Sequence, residues 1–297
     1  MTVTITFAGE GNDAFHDLVP ADAKLEKLGT GMKFIEGPVW SDTAEGYLVF
    51  SDIPASELKK WTRADGVMTW VTDSMQTNGN TRDREGRLIS CEHAGRRVSV
   101  VSDDKSRTTL VDAHDGKKLN SPNDPVIKSD GSVWFTDPTY GLGKQPKEQS
   151  ANHVFCFDPK TRQIKPVVSD FDQPNGLCFS PDEKKLYIAD SGKPRHIRVF
   201  DVQPDNTLAN GKVFAAIDSG VPDGIRCDER GNVWSSAGDG VQVFAPDGKL
   251  IGRIPVPESP ANLCFGGADG RTLFITARTS LYAIQTNVGG AKRPSKQ

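Results

Sequence analysis

Ser121-Pro122-Asn123-Asp124-Pro125 is the stretch on which the reading of this chain turns, because related phrases recur along it. They are Glu36-Gly37-Pro38-Val39, Asn78-Gly79-Asn80, Pro174-Asn175-Gly176, Pro222-Asp223-Gly224 and Pro260-Ala261-Asn262. Counted from Glu36, Asn78, Asn123, Asn175, Asp223 and Asn262, the spacings are 42, 45, 52, 48 and 39 residues. Each phrase leads into a strand-like run, a turn of Asp-Gly, Glu-Gly or Pro-Asp character, and a second strand-like run, as residues 39–52, 124–137, 177–190 and 225–236 align to show. Residues 81–90 and 263–276 follow the same pattern. A period of 40 to 50 residues holding several strands matches one propeller blade. The expected fold is therefore all-β, a six-bladed β-propeller with a central metal-binding channel.

The rest of the chain agrees with an all-β texture. Short runs of β-branched and aromatic residues at 67–71, 88–91, 98–101, 133–136, 153–157, 186–189, 197–202, 233–235, 241–244 and 273–276 are bounded by turn residues, and helical periodicity is nearly absent. Residues 1–30 read as a lead-in, with a short helical or irregular piece near 13–27, that supplies a closing strand or strap. Residues 31–286 form the propeller, and 287–297, polar and Gly-containing, read as a frayed tail. The polar insert 143–152 is expected to lie over the mouth of the channel.

Composition excludes several classes of function. Thirty-six Lys and Arg against 39 Asp and Glu give a net charge of −3, without the basic excess that binds a phosphate backbone, so nucleic acid is not an expected partner. No basic stretch followed by an apolar core opens the chain and no 18-residue apolar run occurs, so no membrane partner is expected. The expected compartment is the cytoplasm, or the periplasm had a leader been removed, and the expected state is a monomer or homodimer. Five scattered cysteines without a Cys-x-x-Cys pair read as reduced, buried thiols.

In a propeller the innermost strand of every blade runs beside the central channel, so the six phrases converge at one end of it. Two carboxylates and four carboxamides then face one another. Hard oxygen donors without His or Cys favour Ca²⁺, Mg²⁺ or Mn²⁺ over zinc. Glu36 and Asp223 together neutralise one such ion. The bland alternative, that Asn and Asp beside Gly or Pro are turn residues, applies least to Glu36, which lies in a strand-like setting.

The set Glu36-Gly37-Pro38-Val39-Trp40, Ser121-Pro122-Asn123-Asp124, Pro174-Asn175-Gly176-Leu177 and Pro222-Asp223-Gly224 resembles the gluconolactonase family. That family also includes senescence marker protein (regucalcin) and is related to diisopropyl fluorophosphatase. The resemblance covers residues 34 to 285 and implies one catalytic divalent metal, Ca²⁺ first with Mg²⁺, Mn²⁺ or Zn²⁺ as alternatives. It implies Glu36, Asn175 and Asp223 as metal ligands, with Asn123 beside the metal contacting ligand or substrate. Asp124 corresponds to an acid proposed as general base in some members, with Asp223 the second candidate. Animal members place Arg where this chain has Ser121, so their substrate preference does not transfer. Cys91-Glu92-His93 resembles bacterial members, which adds His93, together with Asn78 and Asn80, to the expected substrate contacts.

The reaction that suits this ring is hydrolysis of a small-molecule lactone, with a carboxylate assisting water. The rivals are an organophosphate hydrolase, a non-catalytic calcium- or sugar-binding propeller, and a protein-interaction propeller, against which the absence of a Trp-Asp repeat signature counts.

Overall fold

The computed structural model describes Thr2–Val3 and residues 13–292; the other residues of the expected lead-in and of the tail, 293–297, lie outside the described residues. Six sheets of antiparallel strands follow one another along the chain. Blade 1 is Ile35–Ser41, Tyr47–Asp52, Glu57–Thr62 and Gly66–Thr72, counted from the axis outward. Blade 2 begins with Thr77–Arg82, blade 3 with Pro125–Ile127, blade 4 with Pro174–Phe179, blade 5 with Ile225–Cys227 and blade 6 with Pro260–Gly266. These six inner strands touch in sequence around a closed ring. The all-β six-bladed propeller is thus the observed fold.

Closure is made by joining segments that flank the other five blades in the sequence. Blade 6 has Thr272–Ala277 and Ser280–Gln285 from the C-terminal side, and Leu25–Gly29 completes it, pairing Glu26 with Ala283 and Lys27 with Tyr282. Thr2–Val3 adds a further short strand outside it. A four-residue helix, Asp13–His16, precedes this strand and buries Phe15 beside Leu18, Val19 and Leu25 in the core shared by blades 5 and 6.

The second strand of every blade is clad on both faces by neighbouring blades, which is why it reads as a continuous apolar run. Val133–Asp137 and Val233–Ala237 are buried at every position. Between blades, aromatic rings form the contacts. Trp40 stacks on Phe274 at 5.3 Å across the junction of blades 1 and 6, and Trp134 meets Phe179 edge-on at 5.4 Å across that of blades 3 and 4. Each such ring, withdrawn from water, contributes about 1.5–3 kcal/mol.

Two side-chain devices at the end of the second strand locate the inner strand. Asp52 accepts the N–H groups of Lys33 and Phe34, Asp137 that of Asn120, and Asp190 those of Asp172 and Gln173. These carboxylates fix the segment entering blades 1, 3 and 4 just before Glu36, Asn123 and Asn175. The preceding hydroxyl then grips the phrase itself. Ser51 Oγ donates to Asn78 O at 2.6 Å, while Thr136 Oγ1 and Ser236 Oγ accept from the N–H groups of Asp124 and Asp223, both at 3.2 Å.

One expectation is corrected. The stretch read as fraying from residue 287 is tied down as far as Ala291. Val288 is fully buried, Asp228 pairs with Gly290, and Ala291 N donates to Cys227 O, because these residues cross the lower end of the channel beside blade 5. The polar insert 143–152 is fastened in place. Glu148 holds Arg96 and Lys118 N, and Gln149 Nε2 donates to the carbonyls of Lys117 and Lys118, bolting the insert to a small hairpin between blades 2 and 3. Among the described residues no helix is long and apolar enough to cross a membrane, and all five cysteines are free and buried.

Candidate active site

The glycines of the repeated phrase stand where inner strands approach most closely, and this sets the geometry of the ring. A Cβ on Gly37 would lie 2.2 Å from Asn78 O, and one on Gly176 2.3 Å from Asp223 O, so only glycine fits. Gly79, Gly176 and Gly224 donate N–H to Asn123 O, Asp223 O and Ala261 O in the next blade. The same pattern around the axis makes the upper ring Glu36, Asn78, Asn123, Asn175, Asp223 and Ala261. Asn262 is therefore not the sixth ring residue, as its chemistry suggested. It occupies the glycine level below, as does Asp124, and these two opposite blades alone place side chains there. Asn262 Nδ2 reaches across to Asp124 Oδ2 at 3.3 Å.

Three carboxylates meet in this space. Burial pushes the Glu36 carboxyl up to about 7, reinforced by the negative charge of Asp124 and opposed by the Gly37 N–H, which donates to Oε2 at 2.7 Å. Asp223 is raised well above the usual carboxylate range by burial, then by Glu36 and Asp124. Asp124, with no exposed surface, is also raised by burial, while Arg226 and Asn262 pull it back. Arg226, the cation at the base of the site, donates from Nη1 to Asp124 Oδ2 at 3.4 Å and to Ile225 O at 2.7 Å.

The donor set suits a hard divalent cation. Asn78 Oδ1, Asn175 Oδ1 and Asp124 Oδ1 are buried without any hydrogen-bond partner, a costly state for an oxygen acceptor. Glu36 and Asp223 repel each other, so a positive charge between them is favoured. Among the described residues no three His, Cys, Asp or Glu side chains form a metal-holding group, which leaves carboxylate plus carboxamide oxygen as the available chemistry.

The remaining expected residues divide. His93, 6% exposed, is held neutral by burial, which brings its pKa down to about 4. Its Nε2 accepts from Asn78 Nδ2 at 3.3 Å, so His93 turns the carboxamide until Oδ1 faces the ring. His93 thus stands behind Asn78. Asn80, expected to contact substrate, has its amide nitrogen engaged by Gly37 O, Ser51 Oγ and Asn78 O, and its oxygen accepts from Ser90 Oγ. It clamps blade 1 to blade 2. Glu92 is held by Arg97 and Ser99.

Two residues escape sequence reading. One is Arg226, a lone charge in the run Ile225-Arg226-Cys227 that gives no signal of facing the axis. The other is Tyr140, half exposed, with its hydroxyl beside Ser191 and Asn175 and with Asp223 close by. Both neighbours of Tyr140 are fastened. Thr139 Oγ1 accepts from Gln173 Nε2 at 3.3 Å, and Gly141 N donates to Ser121 Oγ at 2.9 Å. Ser121, where this chain differs from the animal pattern, therefore anchors the segment that presents Tyr140.

Known proteins are similar to this chain in sequence and fold. Residues 34–279 match the family described as SMP-30/Gluconolactonase/LRE-like region. A gluconolactonase of Zymomonas mobilis subsp. mobilis is 32% identical over 301 residues, covering 92% of this chain and 84% of its own. The solved structure of a gluconolactonase from Xanthomonas campestris superposes with a TM-score of 0.87 at 35% identity, covering 92% of each chain. A calcium-binding regucalcin from Agrobacterium tumefaciens shares the fold, with a TM-score of 0.77 at 21% identity over 91% of this chain and 96% of its own.

Proposed function

The chain belongs to the SMP-30/gluconolactonase/LRE-like family, and from that premise we propose that it opens a sugar lactone by hydrolysis, with Glu36, Asn123, Asn175 and Asp223 holding one divalent cation, Ca²⁺ in the first instance. The observation that carries this reading is the Asp124 carboxylate. It is fully buried at the ring, one oxygen doubly hydrogen-bonded and the other without a partner. The gluconolactonases of Z. mobilis and X. campestris, at 32% and 35% identity, support the substrate class.

A divalent cation supplies polarisation of the ester carbonyl and stabilisation of the charge that grows on its oxygen. The side chains supply the rest. Asp124 takes a proton from water at Oδ1. The water oxygen bonds to the carbonyl carbon, the ring C–O bond breaks, and the ring oxygen leaves as a hydroxyl carrying the proton that Asp124 returns, giving the open acid. Asp223, the second candidate base, faces Glu36 and serves better as a ligand. Asn78 Oδ1 accepts a hydrogen bond from a sugar hydroxyl, and Tyr140 lies against the sugar ring at the mouth.

Glu36→Gln and Asp223→Asn test the reading. Each variant should lose both the divalent-ion rise in melting temperature and hydrolysis of glucono-1,5-lactone. Stripped of metal, each should melt above the metal-free wild type, because a repulsion between buried like charges has been removed. Wild-type turnover in the chelated variants would overturn it. Asp124→Asn should cut turnover by roughly 10²–10⁴-fold while metal affinity holds, and equal loss of both would make Asp124 a ligand.

A further inference from the structure

Three residues beyond the upper ring, the inner strands present Val39, Thr81, Val126, Cys178, Arg226 and Cys264, which all line a cavity of about 410 Å³ below the site. Five of these six are uncharged. The sixth is Arg226, whose side chain is 20% exposed and whose guanidinium turns from this wall toward Asp124. It meets Asp124 Oδ2, as does Asn262 Nδ2 from the neighbouring blade 6, at 3.4 and 3.3 Å. Both donors converge on one oxygen, and the other oxygen has none.

That asymmetry fixes orientation. A carboxylate gripped at Oδ2 by a guanidinium and an amide cannot rotate without losing both, so Oδ1 stays directed away from them. Charge requires the same partner. With Glu36, Asp124 and Asp223 all ionised, one guanidinium leaves a charge of −2 for a divalent ion to meet. Without Arg226 the neutral Asn262 alone would hold Asp124 against the repulsion of the other two. Asp124 would then swing toward whatever positive charge the ring holds, becoming a ligand and ceasing to face water.

We propose that Arg226 is a positioning residue for the reaction, gripping Asp124 from beneath the ring so that Oδ1 is the oxygen presented to the attacking water. This rests on the reading of Asp124 as the base.

Arg226→Met, Arg226→Lys, Asp124→Asn and the double variant Arg226→Met/Asp124→Asn form the test. With saturating Ca²⁺ and glucono-1,5-lactone, Arg226→Met should lower kcat roughly 10- to 100-fold and leave KM within about threefold. Arg226→Lys should restore part of kcat, because charge returns without the planar fork. In the Asp124→Asn background, Arg226→Met should cost no further turnover. A second readout needs no activity. In metal-free protein unfolded by urea, the two single substitutions together should destabilise less than the sum of each alone, since the double variant leaves neither charge unpaired. Wild-type turnover in Arg226→Met, losses that multiply in the double variant, or an additive unfolding cycle would each overturn the proposal. Should Arg226→Met fail to fold, the turnover of the double variant relative to Asp124→Asn still decides whether the two residues act as one unit. Absence of lactone hydrolysis by the wild-type protein would refute the functional reading, whereas the unfolding cycle decides the clamp by itself.

Discussion

His93 offers a quantitative test of how the ring is oriented. Its imidazole is 6% exposed and packs under Gly141, where a Cβ would stand 2.3 Å from its Cγ. Burial lowers its pKa from 6.5 to about 4, so the folded protein keeps it neutral, with Nε2 available to accept from Asn78. The unfolded chain takes up the proton as pH falls through 6.5, the folded chain only near 4. Unfolding therefore binds a proton between these values, and stability falls as pH falls. The full difference is about 3 kcal/mol at 1.36 kcal/mol per pH unit, of which about 2 kcal/mol is gone by pH 5. His93→Gln removes the titration. Urea unfolding of metal-free wild type and variant at pH 8 and pH 5 should show the wild-type advantage shrinking by about 2 kcal/mol. The other four histidines cancel in the difference. An advantage unchanged with pH to within about 0.5 kcal/mol would mean that His93 is not held neutral, and the account of Asn78 would fall with it.

Substitutions at two further positions probe the mouth. Gly141→Ala forces a methyl into His93, costing about 1–3 kcal/mol by overpacking, and should reduce turnover by displacing both His93 and Tyr140; unchanged melting and kinetics would show that the segment yields freely. Tyr140→Ala should raise KM for glucono-1,5-lactone by roughly tenfold while kcat changes little, and Tyr140→Phe should keep the wild-type KM, because the ring face makes the contact. Steady-state kinetics of the three proteins distinguish this from a catalytic hydroxyl, for which the phenylalanine variant would lose kcat.

Legibility in the sequence follows burial. Second strands such as Val133–Asp137 have both faces covered and so declare themselves as apolar runs, whereas outer strands such as Gln163–Val168, with no fully buried residue, read as loop. The ring is visible because its phrases repeat at blade spacing. Blade 6 is misregistered when Asn262 is chosen for its chemistry. Its place after the proline shows the error, since Pro122, Pro174, Pro222 and Pro260 each precede the ring residue by one. Asn80 misleads for a related reason: an amide can line a cavity or bind two blades together, and only its partners decide which. Arg226 and Tyr140 lie beyond sequence reading, since each acts on residues about a hundred or several tens of positions away.

The strand Leu25–Gly29 has a consequence for how the molecule is made. It leaves the ribosome well before its partner Ser280–Gln285, because the other five blades lie between them in the sequence. Until then Leu25, like Phe15 and Tyr282, has no inter-blade core to enter. Closing so long a loop costs entropy that is returned only when the final blade docks, so the circle should form late and slowly. Because the oxygens at the axis come from blades on both sides of that seam, the chemistry can begin only when the circle is shut. A chain truncated in its last blade would hold most of the site's residues and yet lack the site.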